Sequence, residues 1–374
     1  MSNIHLPKKL LVVSSWAPPA PGSSSIFFYN LFSQFDPTMF SILTSTQWAT
    51  ATATKSKLPC KYFSPSPQAK TDFLRSVFGG LRVIRNENAE VLLGVGDREY
   101  TLILTFILSV LSGKPYAVYL LDIYRWNYLG PKQKILAHIF EPILFKYANS
   151  IFVMGDGHRL LYERKYGNRF TYTVIRNCVG VDHQLTAARK SVPPYRIVYT
   201  GNIYWAQEGG VRNLIKAVSM LSDLDIRIDL YSSRIPEKFK NEFSNSPHIT
   251  FKSVPHEEMA TIQAAADILF LPLAWDNRSR EVIEMATPGK TAEYLISGRP
   301  ILVHAPSYSF LSTYAREKGF AEVVDEQHIE KLCDAIRKLL TDESYVAKLV
   351  LNAKSLSASE YDIETNARKF ASSF

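Results

Sequence analysis

Short apolar runs alternate with longer amphipathic stretches along the chain. Such runs, bounded by polar residues, predict buried strands, and stretches with a period near 3.6 residues predict helices. The predicted strands are Leu10–Ser14, Phe40–Thr44, Val91–Val95, Tyr116–Leu121, Ile151–Met154, Tyr172–Ile175, Ile197–Tyr199, Ile226–Tyr231, Ile249–Phe251, Ile268–Leu271, Ile301–Val303 and Ala321–Val324. The predicted helices include Ile26–Phe35, Lys132–Tyr147, Gly210–Leu221, Glu257–Ala265 and Ile329–Leu340. This alternation predicts an α/β protein with doubly wound parallel sheets, covered by helices on both faces.

The alternation is interrupted once, near Leu185–Pro194, where the sequence is polar and ends in two prolines. A chain of 374 residues exceeds the size at which a single core stops growing, so two domains are expected. We predict Rossmann-like domains at residues 1–185 and 186–358, and a C-terminal helix in 359–374 that packs back on the first domain. Ligands bind at the carboxyl ends of strands in such sheets, so two facing units would form a cleft between them.

Composition is that of an ordinary globular protein, with 46% apolar and 21% charged residues. The charge is uneven: residues 1–190 hold 22 Lys and Arg against 11 Asp and Glu, whereas residues 191–374 hold 21 against 24. A basic first half favours an anionic partner, such as an acidic polymer, a phosphorylated lipid or a membrane face. Nucleic acid is not expected, because the basic residues are scattered and no nucleic-acid-binding motif occurs.

Cysteines, the N-terminus and the longest apolar run together predict a cytoplasmic protein. Three widely spaced cysteines argue against a disulfide framework, and Met1–Lys9 leads into a strand without a signal-peptide apolar region. The apolar run Thr101–Leu111 is too short to span a bilayer, which needs about 20 residues, and predicts a buried helix. The eight histidines lack zinc-ligand spacing and no acidic cluster suggests magnesium, so we expect neither a metal nor a cofactor.

The segment Pro288–Leu295 carries the clearest candidate chemistry. It predicts a loop, then a helix whose first N–H groups lie beside Lys290, and then the strand at Ile301. Such an arrangement is typical of sites for phosphorylated ligands, which here suggests a nucleotide or nucleotide sugar. The alternative is an ordinary connection between a helix and a strand.

Five segments taken in order resemble the GT-B glycosyltransferases of family 4, the glycosyl transferases group 1. They are Pro18–Ser23, Ile175–Asp182, Tyr199–Asn202, Ala265–Pro272 and Pro288–Leu295. Their order and spacing carry the resemblance, which covers most of the chain. It implies the GT-B fold, a nucleotide-sugar donor in the second domain and an acceptor on the first.

The resemblance also implies roles for the donor-binding residues. Glu293 matches the second carboxylate of the family's glutamate pair, which accepts hydrogen bonds from ribose hydroxyls. The backbone N–H groups of Gly289, Lys290 and Thr291 would face the diphosphate, with the Lys290 ammonium adding a charge contact.

The remaining donor-binding candidates lie on loops. Val254 and Pro255 resemble the loop against the base. Gly201 and Asn202 follow the first strand of the second domain, where glycine permits close approach to a phosphate. Gly22 and Ser23 occupy the matching loop of the first domain. Each is a plain turn in the alternative interpretation.

Two positions of the family pattern differ here, one of a glutamate and one of a histidine. The first glutamate of the pair falls on Met285, with Glu284 adjacent and Glu281 near. The histidine-aspartate pair expected after the fourth strand is Leu121-Asp122.

The basic pair of the family is also absent from its register. Asn202, Gln207 and Glu208 stand there, and Arg212 is displaced. Other cations must therefore neutralise the donor phosphates. The candidates are Lys290, which we prefer, and Arg278 and Arg280.

Glycosyl transfer in a fold without a metal must stabilise the diphosphate leaving group with cations and dipoles, so metal independence is expected. An inverting reaction also needs a base for the acceptor hydroxyl. Asp122 and Asp97 follow predicted strands on the correct edge and are the catalytic candidates. In the alternative interpretation either aspartate caps a helix.

The sequence thus predicts a glycosyltransferase that moves a sugar from a nucleotide-diphosphate donor to a glycan, lipid-linked or protein acceptor. Two alternatives stay open: a non-catalytic GT-B-like partner or scaffold subunit, and a nucleotide-sugar epimerase on the same fold. The aromatic and basic residues of Trp126–Tyr128 and Lys132–Lys134 suggest either peripheral contact with the inner face of a membrane or an acceptor surface.

Overall fold

The structure, a computed structural model, divides into two compact units, Met1–Gly180 with Asp362–Phe374, and Val181–Tyr361. It describes residues 4–20, 22–51, 57–64, 73–96, 100–124, 131–179, 191–232, 234–243, 246, 248–275 and 280–374. The predicted linker lies largely outside these ranges. The chain returns from the second unit to the first at Asp362, three residues after position 359, where the C-terminal segment was predicted to begin.

Each unit contains a parallel sheet. Along the chain the strands are β1 (Leu10–Val13), β2 (Phe40–Leu43), β3 (Lys61–Phe63), β4 (Val91–Val95), β5 (Tyr116–Leu120), β6 (Ser150–Val153), β7 (Tyr172–Val174), β8 (Tyr195–Thr200), β9 (Ile226–Tyr231), β10 (Ile249–Lys252), β11 (Ile268–Pro272), β12 (Ile301–His304) and β13 (Glu322–Val324). The first unit has the order β3-β2-β1-β4-β5-β6-β7, and the second β10-β9-β8-β11-β12-β13. In register, Leu10 of β1 lies opposite Phe40 and Val91.

Helices connect the strands. They are α1 (Ser23–Phe32), α2 (Thr46–Ala49), α3 (Phe73–Glu87), α4 (Thr101–Ser112), α5 (Pro131–Tyr147), α6 (Asp156–Tyr166), α7 (Trp205–Met220), α8 (Glu237–Phe243), α9 (Met259–Ala264), α10 (Arg280–Glu284), α11 (Thr291–Ile296), α12 (Phe310–Lys318), α13 (Ile329–Thr341), α14 (Glu343–Glu360) and α15 (Ile363–Ala371). Short 3-10 helices occur at Gly167–Arg169 and His256–Glu258.

The sheet of the first unit has an apolar layer on each face. One layer joins α1 and α15 to the sheet, and the other joins α3, α4, α5 and α6 to its opposite face. In the first layer the ring of Phe370 on α15 packs against Phe152 of β6 and Phe32 of α1, with centroid distances of 4.9 and 5.7 Å. The Asn366 side chain also accepts a hydrogen bond from the Arg176 N–H at 3.0 Å. The last helix therefore completes the core of the first unit.

The second unit is built in the same way around β8, β9 and β11. Ile197, Ile228 and Phe270 are fully buried, and helices α7 and α13 supply the apolar side chains that cover them. Parallel strands place all their carboxyl ends at one edge of the sheet. The loops after β8, β10, β11 and β12 therefore lie at the same edge as the predicted donor site.

The observed topology confirms the predicted fold class, and each predicted strand coincides with an observed one. Strand β3 was not predicted, because three residues at the sheet edge, none of them fully buried, leave too short an apolar pattern. The predicted helix Glu257–Ala265 is a 3-10 turn followed by α9. The prediction that Thr101–Leu111 is a buried helix was partly wrong, since Val110 and Leu111 of α4 are exposed.

No helix in the described part of the chain is both long enough and apolar enough to cross a membrane. Cys60, Cys178 and Cys333 are free thiols. Burial raises the pKa of the Cys60 thiol to about 12, so this thiol stays protonated near neutral pH.

Candidate functional site

The candidate site begins where β8 ends. Gly201 follows the strand with a φ of 128°, a conformation that side-chain-bearing residues rarely adopt. Its N–H donates to the Tyr231 carbonyl at 2.8 Å, which fixes the chain at the end of β9. A Cβ at this position would lie 2.7 Å from the Lys290 Nζ atom. Glycine is therefore required for Lys290 to approach the loop.

Lys290 is held against a buried tyrosine. Its ammonium donates to the Tyr199 hydroxyl at 2.8 Å and lies 4.0 Å from the centre of the same ring. That hydroxyl in turn donates to the Asn202 carbonyl at 2.7 Å, so one side chain links the lysine to the loop. Burial lowers the Lys290 pKa from its ordinary value of 10.5 to about 7, and the Glu293 carboxylate acts in the opposite direction.

Glu293 belongs to a hydrogen-bonded chain of side chains. Its carboxylate accepts from the Gln263 amide at 2.7 Å, and the same amide donates to the Thr200 hydroxyl at 3.2 Å. The Tyr294 hydroxyl then accepts from the Thr200 N–H at 2.9 Å and from the Thr200 hydroxyl at 3.2 Å. Helices α9 and α11 are thereby tied to the end of β8, and among the described residues the second carboxylate oxygen of Glu293 accepts no hydrogen bond.

Helix α11 corrects the predicted use of backbone N–H groups. The helix has six residues, and the Thr291 N–H already donates to the Pro288 carbonyl at 2.9 Å. That N–H is therefore occupied, contrary to the prediction that it faces a diphosphate. The Thr291 hydroxyl is buried and has no hydrogen-bond partner among the described residues. The polar group that Thr291 can offer a ligand is its side chain.

The other predicted donor residues of the second unit are accessible. Asn202 and Pro255 are exposed, and Val254 and Gly289 are half-buried. Val254 and Pro255 lie between β10 and the 3-10 helix, where the Pro255 carbonyl accepts from Glu258 N–H at 3.2 Å. These residues lie on loops at the carboxyl edge of the sheet, as predicted.

Met285 stands where the family pattern has its first glutamate, and the structure buries this apolar side chain. Met285 is buried at the end of α10, with its N–H donating to the Glu281 carbonyl at 3.1 Å. Glu281 and Glu284 are half-buried on that short helix. Of these three glutamates, Glu293 is the one that hydrogen-bonds to Gln263 and through it to the end of β8.

The alternative cations are engaged elsewhere or undescribed. Arg212 forms an ion pair with Glu242 and stacks over Phe239 at 4.9 Å. Arg280 is exposed and stacks over Tyr308 at 4.6 Å, and Arg278 lies outside the described residues. Lys290, the preferred cation of the prediction, is the one that contacts the loop after β8.

The first-unit candidates do not form a described cluster. Gly22 is exposed and precedes α1 with a φ of 115°, and Ser23 is the first residue of that helix. Asp122 is exposed, two residues after β5. Asp97 lies outside the described residues. The pairing of these residues with an acceptor stays a prediction.

Tyr199 and Gln263 were not identified as site residues from the sequence. Tyr199 lies inside a strand, where an aromatic residue is normally a core residue, and only its hydroxyl contacts distinguish it. Gln263 is a polar residue that is almost fully buried on α9, just before the quoted Ala265–Pro272 motif. The sequence signal that could have identified Gln263 was its position two residues before that motif.

Within the described ranges, no group of three or more His, Cys, Asp or Glu side chains is arranged to hold a metal ion.

Replacing Gly201 with alanine is expected to weaken the site. The new methyl group would require a rare backbone conformation, costing about 1–3 kcal/mol, and would displace the Lys290 ammonium. We expect a lower Tm together with about tenfold weaker nucleotide binding in isothermal titration, since a shift of 1.4 kcal/mol is tenfold.

Gly113→Ala is the matched control. Gly113 also has a positive φ, of 68°, but a Cβ there meets no described atom within 4 Å. Only the Tm should fall in this variant. An equal loss of nucleotide affinity in both variants would contradict the role of Gly201.

Comparison with known proteins bears on the fold and on the second unit. Residues 194–342 match the model of the family Glycosyl transferases group 1, and a search of curated proteins by sequence finds no match. Among solved structures, sucrose-phosphate synthase from Thermosynechococcus elongatus is 13% identical with a TM-score of 0.71, covering 97% of both chains. HepE of Anabaena, in complex with UDP and glucose, is 13% identical with a TM-score of 0.71, covering 98% of both.

WaaG, a glycosyltransferase involved in lipopolysaccharide biosynthesis, is 14% identical with a TM-score of 0.64, covering 97% of this chain and 98% of WaaG. These likenesses confirm the predicted GT-B fold, and the family match confirms the predicted resemblance in the second unit. The chain thus has the GT-B fold, and its residues 194–342 match the model of the Glycosyl transferases group 1 family.

Proposed function

We propose that this glycosyltransferase binds a nucleotide-diphosphate sugar at the end of β8 in its second unit. The contact of the Lys290 ammonium with Tyr199, beside Gly201, is the observation that carries the proposal. A half-buried cation next to a glycine can neutralise a diphosphate, because charge interactions are strong where water is largely excluded.

Glu293 would bind the ribose of that donor. Its carboxylate is oriented by the Gln263 amide, and one oxygen is available for the vicinal hydroxyls. The loops at Asn202 and at Val254 and Pro255 would contact the phosphates and the base. HepE binds UDP and glucose, which supports a nucleoside diphosphate hexose as the donor class here.

The proposed reaction transfers the sugar to a hydroxyl of a glycan, lipid-linked or protein acceptor. The bond from the anomeric carbon to the diphosphate oxygen breaks, a bond from that carbon to the acceptor oxygen forms, and the hydroxyl proton passes to a base. Asp122 and Asp97 are the proposed bases in the first unit, and the basic character of that unit suits an anionic acceptor. Lys290 would neutralise the leaving diphosphate in place of a metal ion, so we propose neither a metal nor a cofactor.

We place the protein in the cytoplasm, in peripheral contact with the inner face of a membrane. The apolar and basic residues on the surface of the first unit support this location. The sequence suggested two segments for such contact. Trp126–Tyr128 lies outside the described residues, and in Lys132–Lys134 the structure describes the backbone and the Lys134 side chain.

Isothermal titration with UDP, GDP and their sugars tests the function, followed by turnover assays with and without added acceptors. We expect one nucleotide to bind and its sugar to be transferred only when an acceptor is present. Absence of binding to any nucleotide would overturn the proposal. An epimerised sugar formed without an acceptor would identify a different reaction.

Donor binding is also expected to take up a proton. At a pH of about 8 the Lys290 amine is largely neutral in the empty site, because its pKa is about 7. A bound diphosphate favours the ammonium, so up to about one proton should be taken up per donor. Titration calorimetry in buffers of different ionisation enthalpy measures this uptake.

Lys290→Met is the control for this measurement and should take up no proton in the same buffers. Wild-type heats that do not depend on the buffer would contradict the charge change at Lys290.

The lowered pKa of Lys290 also affects folding stability. Between pH of about 7 and 10.5 the unfolded chain binds a proton that the folded chain does not, so this lysine makes stability rise with pH in that window.

A further inference from the structure

Three helices of the first unit present apolar side chains to solvent. Helices α3, α4 and α5 cover the same face of the sheet, and their inner sides pack in its core. We define the outer apolar face as the exposed apolar residues on these helices. They are Phe73, Leu74 and Phe78 of α3, Val110 and Leu111 of α4, and Ile135, Ile139, Ile143 and Tyr147 of α5.

These residues are strongly exposed. Phe78 is 71% exposed, Leu74 67%, Val110 63% and Ile135 62%. Single exposed apolar residues are normal on a protein surface, but contiguous sets mark interaction sites. The four residues of α5 follow each other at intervals of four, which places them along one side of that helix.

Helix α4 packs against both α3 and α5. Helix α3 approaches α4 so closely that a Cβ on Gly80 would lie 2.8 Å from the Leu108 side chain. The rings of Phe106 on α4 and Tyr147 on α5 have centroids 6.0 Å apart. The outer apolar face is therefore carried by three neighbouring helices.

The exposed charged side chains described on these three helices are all basic. Among the described side chains of α3, α4 and α5, the exposed charged residues are Arg75, Arg82, Arg85 and Lys146. Helix α4 has no charged residue at all. The two glutamates on these helices are buried and form ion pairs: Glu87 with Lys61 at 3.0 Å, and Glu141 with Lys165. Among the described side chains of these three helices, no exposed carboxylate therefore opposes an anionic surface.

We propose that the outer apolar face binds the surface of a bilayer that contains anionic phospholipid. The apolar side chains enter the boundary between headgroups and acyl chains, and the arginines and Lys146 lie at the level of the phosphates. Helix α4, about 18 Å long, lies in the plane of the membrane and is too short to cross it. A second copy of this chain would bring arginines against arginines, which disfavours self-association through this face.

This inference rests on the peripheral location proposed above and names its surface and its lipid. It does not depend on the chemistry of the donor site. Vesicle binding and nucleotide binding are therefore measured separately on the same protein samples, so that a failure of one proposal is distinguishable from a failure of the other.

The test is co-sedimentation of the full chain with phosphatidylcholine vesicles, with and without phosphatidylglycerol, at low and high NaCl. Wild-type protein should bind only the vesicles with phosphatidylglycerol, and more weakly at high salt. The double variant Leu74→Gln/Phe78→Gln should reduce the partition coefficient at least about tenfold. Arg82→Gln/Arg85→Gln should reduce it about fivefold for each arginine removed.

Matched controls lie in the second unit. Leu351 is 63% exposed, and Arg227 is also exposed. Leu351→Gln and Arg227→Gln should bind vesicles like the wild type. All variants change exposed side chains, so their Tm and their nucleotide affinity should also match the wild type.

Three results would overturn the proposal. These are no vesicle binding by the wild type, equal binding with and without phosphatidylglycerol, and binding that survives Leu74→Gln/Phe78→Gln. A dimer in sedimentation velocity that this double variant abolishes, without vesicle binding, would assign the face to self-association instead.

Discussion

Replacing Lys290 with alanine is expected to reduce turnover by about a hundredfold to a thousandfold, the range seen when one group that stabilises developing charge is removed. The ammonium is held by Tyr199 at 2.8 Å beside Gly201, where the leaving diphosphate is proposed to lie. Its charge is needed most as the bond to the diphosphate breaks. Most of the effect should therefore appear in kcat, measured with saturating donor and acceptor.

Two further variants sharpen this prediction. Lys290→Arg keeps the charge but not the geometry at Tyr199, and should recover part of the lost turnover. Lys331→Ala removes an exposed lysine that pairs with Glu326 at 2.7 Å, and should leave turnover unchanged. A Lys290→Ala enzyme with wild-type kcat would show that another cation neutralises the diphosphate.

Replacing Glu293 with alanine is expected to weaken donor binding by about tenfold to a hundredfold, the value of a hydrogen bond to a charged group. The carboxylate is oriented by the Gln263 amide at 2.7 Å, so the ribose meets a group already in position. The loss should appear in the dissociation constant for the nucleotide, measured by isothermal titration. An unchanged dissociation constant would mean that the ribose lies elsewhere.

The matched control for this variant is Glu317→Ala, because Glu317 is exposed on α12. A 2′-deoxy donor gives a second test. If Glu293 binds the ribose hydroxyls, wild-type protein should lose affinity for the deoxy donor, and the Glu293→Ala variant should lose little more.

The fold followed from the sequence because parallel strands are buried on both faces. Runs such as Leu10–Val13 and Ile268–Pro272 are buried at every position, so their apolar pattern is unbroken. Strand β3 lacked that pattern because it lies at an edge. The outer apolar face was not predicted for a related reason: a helix such as α4 that is apolar on all sides looks like a core helix in sequence, and only the structure shows which side is exposed.

The candidate site was only partly predictable. Lys290, Glu293 and Gly201 stood out because they match a family pattern at the ends of strands. Tyr199 did not, because its ring belongs to the core and only its hydroxyl reaches Lys290. Contacts that join residues about 90 positions apart depend on the folded chain, and no local pattern encodes them.

Helix α15 has a consequence for how this protein is made. Phe370 and Ala367 belong to the core of the first unit, although the whole second unit precedes them in the chain. During synthesis, residues 181–361 can leave the ribosome and fold before the first unit has received its last helix. The unit that emerges first is therefore the one completed last, and a nascent chain would expose Phe32 and Phe152 until α15 arrives.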